Sequence, residues 1–235
     1  MATVDQHPIG IVAGSGIELN SILDTISEET PFSSVPELAG GGVEGHAYRF
    51  IRGRCGPAEV ILQCGRFHAY EGFSFEEVVR PVQVMYEWGV RTIVFTNAAG
   101  GLLAPMKPGD LVAIDCIRTW PFKRFDLPES LNTDFIVPGC DFTGVYGWMH
   151  GPCYETRAEI RTLQSLGCAA VGMSAGPEVF RCHSLGICAA VISCITNSCV
   201  TPQVLTHQHV LETARNSSAR LCEQLRAFIG TCQKT

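Results

Sequence analysis

Four apolar runs that each break off into small or polar residues constrain the fold more than any other feature of the chain. They are "IGIVAGSG" (9–16), "AEVILQCG" (58–65), "VRTIVFTNAAGG" (90–101) and "ICAAVISCITN" (187–197). Runs of this length, rich in β-branched residues and bounded by turn signals, read as strands buried on both faces. "AYRFIRG" (47–53) pairs naturally with "AEVILQCG" across Gly53–Pro57, while "DLVAIDC" (110–116) and "AAVGMS" (169–174) read as further strands.

Helical patterns alternate with these runs. In "SFEEVVRPVQVMYEWG", Ser74 and Glu77 form a capping box and Val78, Val82 and Met85 share one face, with Pro81 expected to kink it. "ETRAEIRTLQSLG" is amphipathic and stopped by Gly167, and a short helix begins at Pro177. In the last helix Leu211, Ala214, Ser218, Leu221, Leu225 and Phe228 line one face, with Gly230 as the stop. Arg118–Val137, with Pro121, Pro128 and the adjoining Pro138, reads as loop. The alternation predicts an α/β fold: one domain over 1–235, with a central twisted, mixed and largely parallel sheet flanked by helices.

Composition narrows the function. Hydrophobic residues make up 46% and charged residues 17%, enough apolar surface for a sizeable core. The net charge of −6, with no basic block, argues against nucleic acid or an acidic membrane as partner. Twelve cysteines occur without one C-x-x-C pair, so they read as small hydrophobes in a reducing cytoplasm rather than metal ligands or disulfides. The N-terminus lacks a basic region and a long apolar run, and no stretch is apolar enough to span a bilayer.

The strand ends share one chemistry. In open α/β sheets ligands collect at the carboxyl ends of strands. "AGSG", "CGRFH", "TNAAGG" and "ITN" offer backbone N–H groups free of bulky side chains, and Arg66 adds a fork that suits phosphate. The expectation is one anion pocket assembled from distant segments.

The ordered motifs "GSG", "GRFHAYEG", "TNAAGGL", "GPCYETRAEIR", "AVGMS..PEV", "ITN" and "H..VL" resemble the trimeric purine nucleoside phosphorylase family over residues 9–229. Methylthioadenosine phosphorylases share most of them. The resemblance implies phosphorolysis of a purine nucleoside to free base and pentose 1-phosphate, with inorganic phosphate as co-substrate, no cofactor or metal, and a homotrimer. It implies a phosphate clamp of Ser15, Arg66, His68, the backbone at Ala98 and Ser174. The base would meet Tyr154, Glu155, Met173, Thr196 and Asn197, and the sugar Tyr70, Met173, His46 and either His207 or His209. His68, Glu155 and Asn197 stand closest to the chemistry, whereas Glu71 reads as scaffold.

Glu155 and Asn197 together favour a 6-oxopurine. A carboxylate accepts from a protonated N1, and an amide can serve N7 and a 6-oxo group at once. An aspartate at position 197 would suit adenine, which is the alternative reading, alongside a nucleoside-binding paralogue of low activity. Two departures from the family pattern stand out. The segment 121–150 holds only about thirty residues where a longer loop and a helix are usual, so Phe122, Phe125 or Phe135 is left to close the pocket. Ala175 and Gly176 replace bulkier residues.

Overall fold

The computed structural model describes residues 7–38, 46–119, 121, 124–200 and 207–232. In chain order the elements are β1 (Ile9–Ala13), β2 (Thr25–Pro31), β3 (Arg49–Cys55), β4 (Ala58–Cys64), α1 (Phe75–Glu87), β5 (Thr92–Gly101), β6 (Leu111–Arg118) and β7 (Ser130–Asn132). There follow β8 (Phe142–Trp148), α2 (Arg157–Ser165), β9 (Cys168–Gly172), α3 (Gly176–Leu185), β10 (Cys188–Ser198) and α4 (His207–Cys232).

One mixed sheet joins all the strands in the order β10-β6-β8-β9-β5-β1-β4-β3-β2, with β7 on β6 and a further pairing of β10 to β5. β4, β1, β5 and β10 run parallel to one another in succession. The strands around them add antiparallel pairings, β3 to β4 and β10 to β6 among them. The parallel block is made of the four runs singled out by sequence, and their carboxyl ends therefore meet at one edge of the sheet.

Alternation along those strands explains why they are apolar on both faces for most of their length. Val12, Ile61 and Phe95 face a core shared with Val79 and Val82 of α1 and Val179 of α3. Their neighbours Ile11, Leu62 and Val94 face a second core built with Leu221 and Leu225 of α4. Successive side chains point to opposite faces and both faces are covered, so apolar residues predominate on each, with Gln63, Thr96, Asn97 and Ser193 as buried polar exceptions.

Several elements depart from the sequence-based expectation. β2, "TISEETP", is almost wholly exposed and carries no apolar alternation. Its pairing with β3 makes it a strand, and its glutamates suit a sheet edge. Inside the segment read as loop, Ser130–Asn132 pairs antiparallel with β6. β8 escaped notice because Gly144 and Gly147 interrupt its pattern; a Cβ on either would fall under 3.0 Å from Ala169 or Leu163. α1 continues as one helix through the buried Pro81, and α4 continues past Gly230, which faces open space. The predicted cap of α1 forms, Ser74 accepting from Glu77 N, and α2 carries a like cap in which Thr156 accepts from Glu159 N. Among the described residues, no helix is long and apolar enough to cross a membrane.

Candidate active site

The carboxyl ends of the parallel strands line a cavity of about 370 Å³. Close packing of β1 against β5 shapes its floor. A Cβ on Gly14 would stand 2.7 Å from Asn97 Cα and 2.8 Å from Thr96 O, so only glycine allows the first turn to lie on the second strand. The Thr96 hydroxyl ties the two together, donating to Val12 O (2.8 Å) and accepting from Gly14 N (3.3 Å).

Arg66 follows β4 and is 1% exposed. Its Nη2 donates to Thr96 O at 3.0 Å, and Nη1 lies 3.5 Å from an oxygen of Glu178, itself 2% exposed. Nε and Nη1 have no hydrogen-bonding partner among the described residues. A guanidinium fixed through Nη2 and balanced at Nη1 by a carboxylate, yet with Nε and Nη1 still free of hydrogen bonds among the described residues, suits an oxyanion.

His68 lines the same cavity. Its backbone N–H donates to Glu71 Oε1 (2.8 Å), and its Nδ1 lies 3.2 Å from that oxygen. A carboxylate only accepts, so Nδ1 carries the hydrogen and Nε2 remains for a ligand. Tyr70 stacks on His68 with centroids 4.9 Å apart. Burial, chiefly, pushes its phenol up to about 12, so it stays a donor. Ser15, Ala98 and Ser174 complete this end of the cavity.

The other end is made by β10 and the segment before α2. Between Ile195 and Asn197 the register with β5 shifts, Ile195 opposing Ala99 and Asn197 opposing Gly100. In a regular strand Thr196 and Asn197 would face opposite ways; this bulge lets both line the cavity. The Thr196 hydroxyl donates to Asn197 Oδ1 at 3.0 Å, and Asn197 Nδ2 lies 3.5 Å from Cys199 Sγ. Burial holds that thiol up at about 12, so the sulfur is a neutral, weak acceptor. Gly100 makes room for the pair, because a Cβ there would lie 2.4 Å from Cys199 Sγ.

Glu155, Tyr154 and Met173 line this end as well. Burial raises the Glu155 carboxyl above its ordinary range, with Glu159 adding to the effect and the residue's own backbone N–H opposing it. Glu155 Oε1 has no partner among the described residues. Tyr154 is 45% exposed, at the rim.

Not every expected residue reaches the cavity. His46 stands behind Ser15, its Nε2 3.1 Å from the serine hydroxyl, and does not line the space. His209 is exposed, whereas the His207 side chain lies outside the described residues; Val210, next on α4, lines the cavity. Asn97 was overlooked. It is 1% exposed, lines the cavity, and neither end of its amide has a partner among the described residues. The signal was present in "TNAAGG", but attention to the small residues hid it.

The shortened segment contributes an arginine. Phe125 packs on Trp148 and Phe75, and Phe135 stacks on Phe228 in the opposite core, so both are spent internally. Phe122 lies outside the described residues. Arg124 Nη1 donates to Ala69 O and lies 2.8 Å from His150 Nε2, while His150 Nδ1 lies 2.6 Å from Gly151 O. It thus joins the turn bearing Tyr70 to the strand exit before Tyr154. Arg124→Ala is expected to raise the nucleoside KM about threefold to tenfold, the loss of one or two such bonds, with phosphate KM unchanged. Steady-state kinetics with each substrate varied in turn checks this.

Comparison with known proteins agrees with this geometry. The family model described as "Phosphorylase superfamily" matches residues 8–128 and 142–230; the gap falls in the segment that the sequence marks as short. "Purine nucleoside phosphorylase 1" of Geobacillus stearothermophilus is 34% identical, over 96% of this chain and 92% of the relative. The purine nucleoside phosphorylase of Bos taurus is 30% identical, over 94% and 88%. The crystal structure of schistosoma purine nucleoside phosphorylase in complex with hypoxanthine superposes with a TM-score of 0.80 at 28% identity, covering 94% of this chain and 90% of that one. Sequence and structure agree that this chain belongs to the purine nucleoside phosphorylase family, within the phosphorylase superfamily.

Proposed function

We propose that this chain catalyses phosphorolysis of purine nucleosides of the inosine and guanosine type, releasing the base and a pentose 1-phosphate. One observation carries the reading: a buried guanidinium with two idle donors shares a cavity with a buried amide and a half-buried carboxylate. Phosphate takes the donors of Arg66, Ser15 and Ser174, while His68 Nε2, its Nδ1–H given to Glu71, accepts from a protonated phosphate oxygen; together they aim another oxygen at the anomeric carbon. As the bond from that carbon to the purine nitrogen lengthens, positive charge grows on the sugar and negative charge on the base. Asn197 meets N7 and the 6-oxo group while Glu155 accepts from N1–H. Catalysis is by positioning and fixed electrostatics, with no protein nucleophile.

Inosine plus phosphate should release hypoxanthine. No release above background would favour a nucleoside-binding protein instead. Phosphate is the co-substrate and no cofactor takes part. The homotrimer rests on the family resemblance and the cytoplasmic compartment on the cysteine pattern; light scattering that gives a monomer mass would remove the trimer.

Glu155 should give the reaction a pH dependence. It accepts from N1–H only when ionised, and burial makes ionisation harder. The nucleoside KM should therefore rise as pH falls through its raised range, while Glu155→Gln, weaker by about 10²-fold in kcat/KM, should lose that dependence. The folded protein holds this proton more tightly than the unfolded chain. Its stabilising effect is therefore full below the unfolded pKa and is lost as pH rises through the folded one.

A further inference from the structure

Glu178 belongs to the "PEV" motif, yet no role above uses it. It does not line the cavity, and a carboxylate is an unexpected neighbour for an anion site. It is nonetheless 2% exposed, and burying a charge is costly unless that charge is paired and hydrogen-bonded. One of its oxygens, Oε2, makes both connections: it lies 3.5 Å from Arg66 Nη1 and accepts from Ala175 N at 2.9 Å.

The second connection matters because of where Ala175 sits. Its φ of +69° is a conformation that residues with a Cβ rarely adopt, and the residue is fully buried. It joins Ser174, at the cavity, to Gly176, whose missing side chain lets α3 lie on Trp148 (a Cβ would stand 3.0 Å from that ring). Ser174 N in turn lies 3.4 Å from the Tyr146 hydroxyl. One oxygen therefore contacts Arg66, just after β4, and the residue that follows Ser174, just before α3, and sets both segments in a common frame.

We propose that Glu178 is a positioning residue of the anion clamp, orienting Arg66 and the Ser174–Ala175 turn toward the same phosphate. This rests on the phosphate site proposed above. Two opposed effects of its charge can be weighed. Repulsion alone would make the carboxylate weaken phosphate binding, so removing the charge would tighten it. Orientation requires the reverse, and it dominates if Arg66 and Ser174 must converge on the ligand.

The test uses Glu178→Gln, which keeps the shape and loses the charge, and Glu178→Asp, which keeps the charge and withdraws it by one methylene. Binding is read as the rise in melting temperature with added inorganic phosphate, with inosine as the control ligand; neither needs turnover. Both variants should bind phosphate about tenfold more weakly, the size of one charge-assisted contact, with the inosine shift unchanged. In assays phosphate KM should rise alike and kcat at saturating phosphate should hold. Should one variant fail to fold, the other decides. Unchanged or tighter phosphate binding overturns the proposal, as does an equal loss for inosine. A wild-type protein with no phosphate shift removes the clamp itself and this proposal with it, whereas a wild type that binds phosphate without releasing base removes only the activity.

Discussion

Arg66→Ala is expected to raise the phosphate KM by about two orders of magnitude, with the nucleoside KM little changed. A hydrogen bond to a charged group is worth roughly 1.5–3 kcal/mol, and two donors, Nε and Nη1, are at stake. The variant also has a structural cost. Glu178 would keep its buried carboxylate without the guanidinium 3.5 Å away. Breaking one side of a buried pair typically costs about 3–5 kcal/mol, more than the pair contributes over an apolar substitute. The protein should therefore melt earlier. Arg66→Lys separates the two effects: its point charge can still balance Glu178 but cannot form a fork. Normal stability with a raised phosphate KM is the expected result for lysine. An unchanged phosphate KM in the alanine variant would place Arg66 outside the clamp.

Asn197→Asp is expected to change the base preference, moving the inosine-to-adenosine ratio of kcat/KM by about 10²-fold toward adenosine. The amide is held by the Thr196 hydroxyl at Oδ1 and by the Cys199 sulfur near Nδ2. Either neighbour can serve a carboxyl: the hydroxyl still donates, and the thiol can donate in place of accepting. The new group would accept from a 6-amino group and would oppose a 6-oxo group. It would also sit close to a second carboxyl, since Glu155 already acts electrostatically on Cys199. Two carboxyls in one partly buried site resist joint ionisation. Adenosine activity in the variant should thus extend to lower pH than inosine activity in the parent. A solved structure with a TM-score of 0.77 at 27% identity, that of Schistosoma mansoni purine nucleoside phosphorylase, is in complex with adenosine. Parent kinetics on both nucleosides are therefore the necessary baseline, and equal ratios before and after would dismiss Asn197 as the selector.

The sequence by itself determined the parallel centre of the sheet. Strands buried on both faces are apolar at successive positions rather than alternate ones, and the four runs that show this are β1, β4, β5 and β10. Because parallel strands end on the same side, their small and polar endings were bound to meet, and Arg66, His68, Thr196 and Asn197 could be collected without coordinates. Local chemistry likewise announced the cap of α1, which forms within four residues of chain.

Tertiary structure alone decided the rest. β2 is a strand only because β3 offers it partners, and β7 only because β6 does. The bulge that turns both Thr196 and Asn197 into the cavity belongs to the register between two strands, which neither strand encodes alone. Glu178 looks like the start of a helix until it is seen beside Arg66, 112 positions away in the chain. Asn97 looks like a strand residue until both ends of its amide are found without a partner among the described residues. Periodicity and capping are near-neighbour properties and can be read along the chain, whereas the pairing of buried charges and the emptiness around a polar group depend on what folding brings alongside.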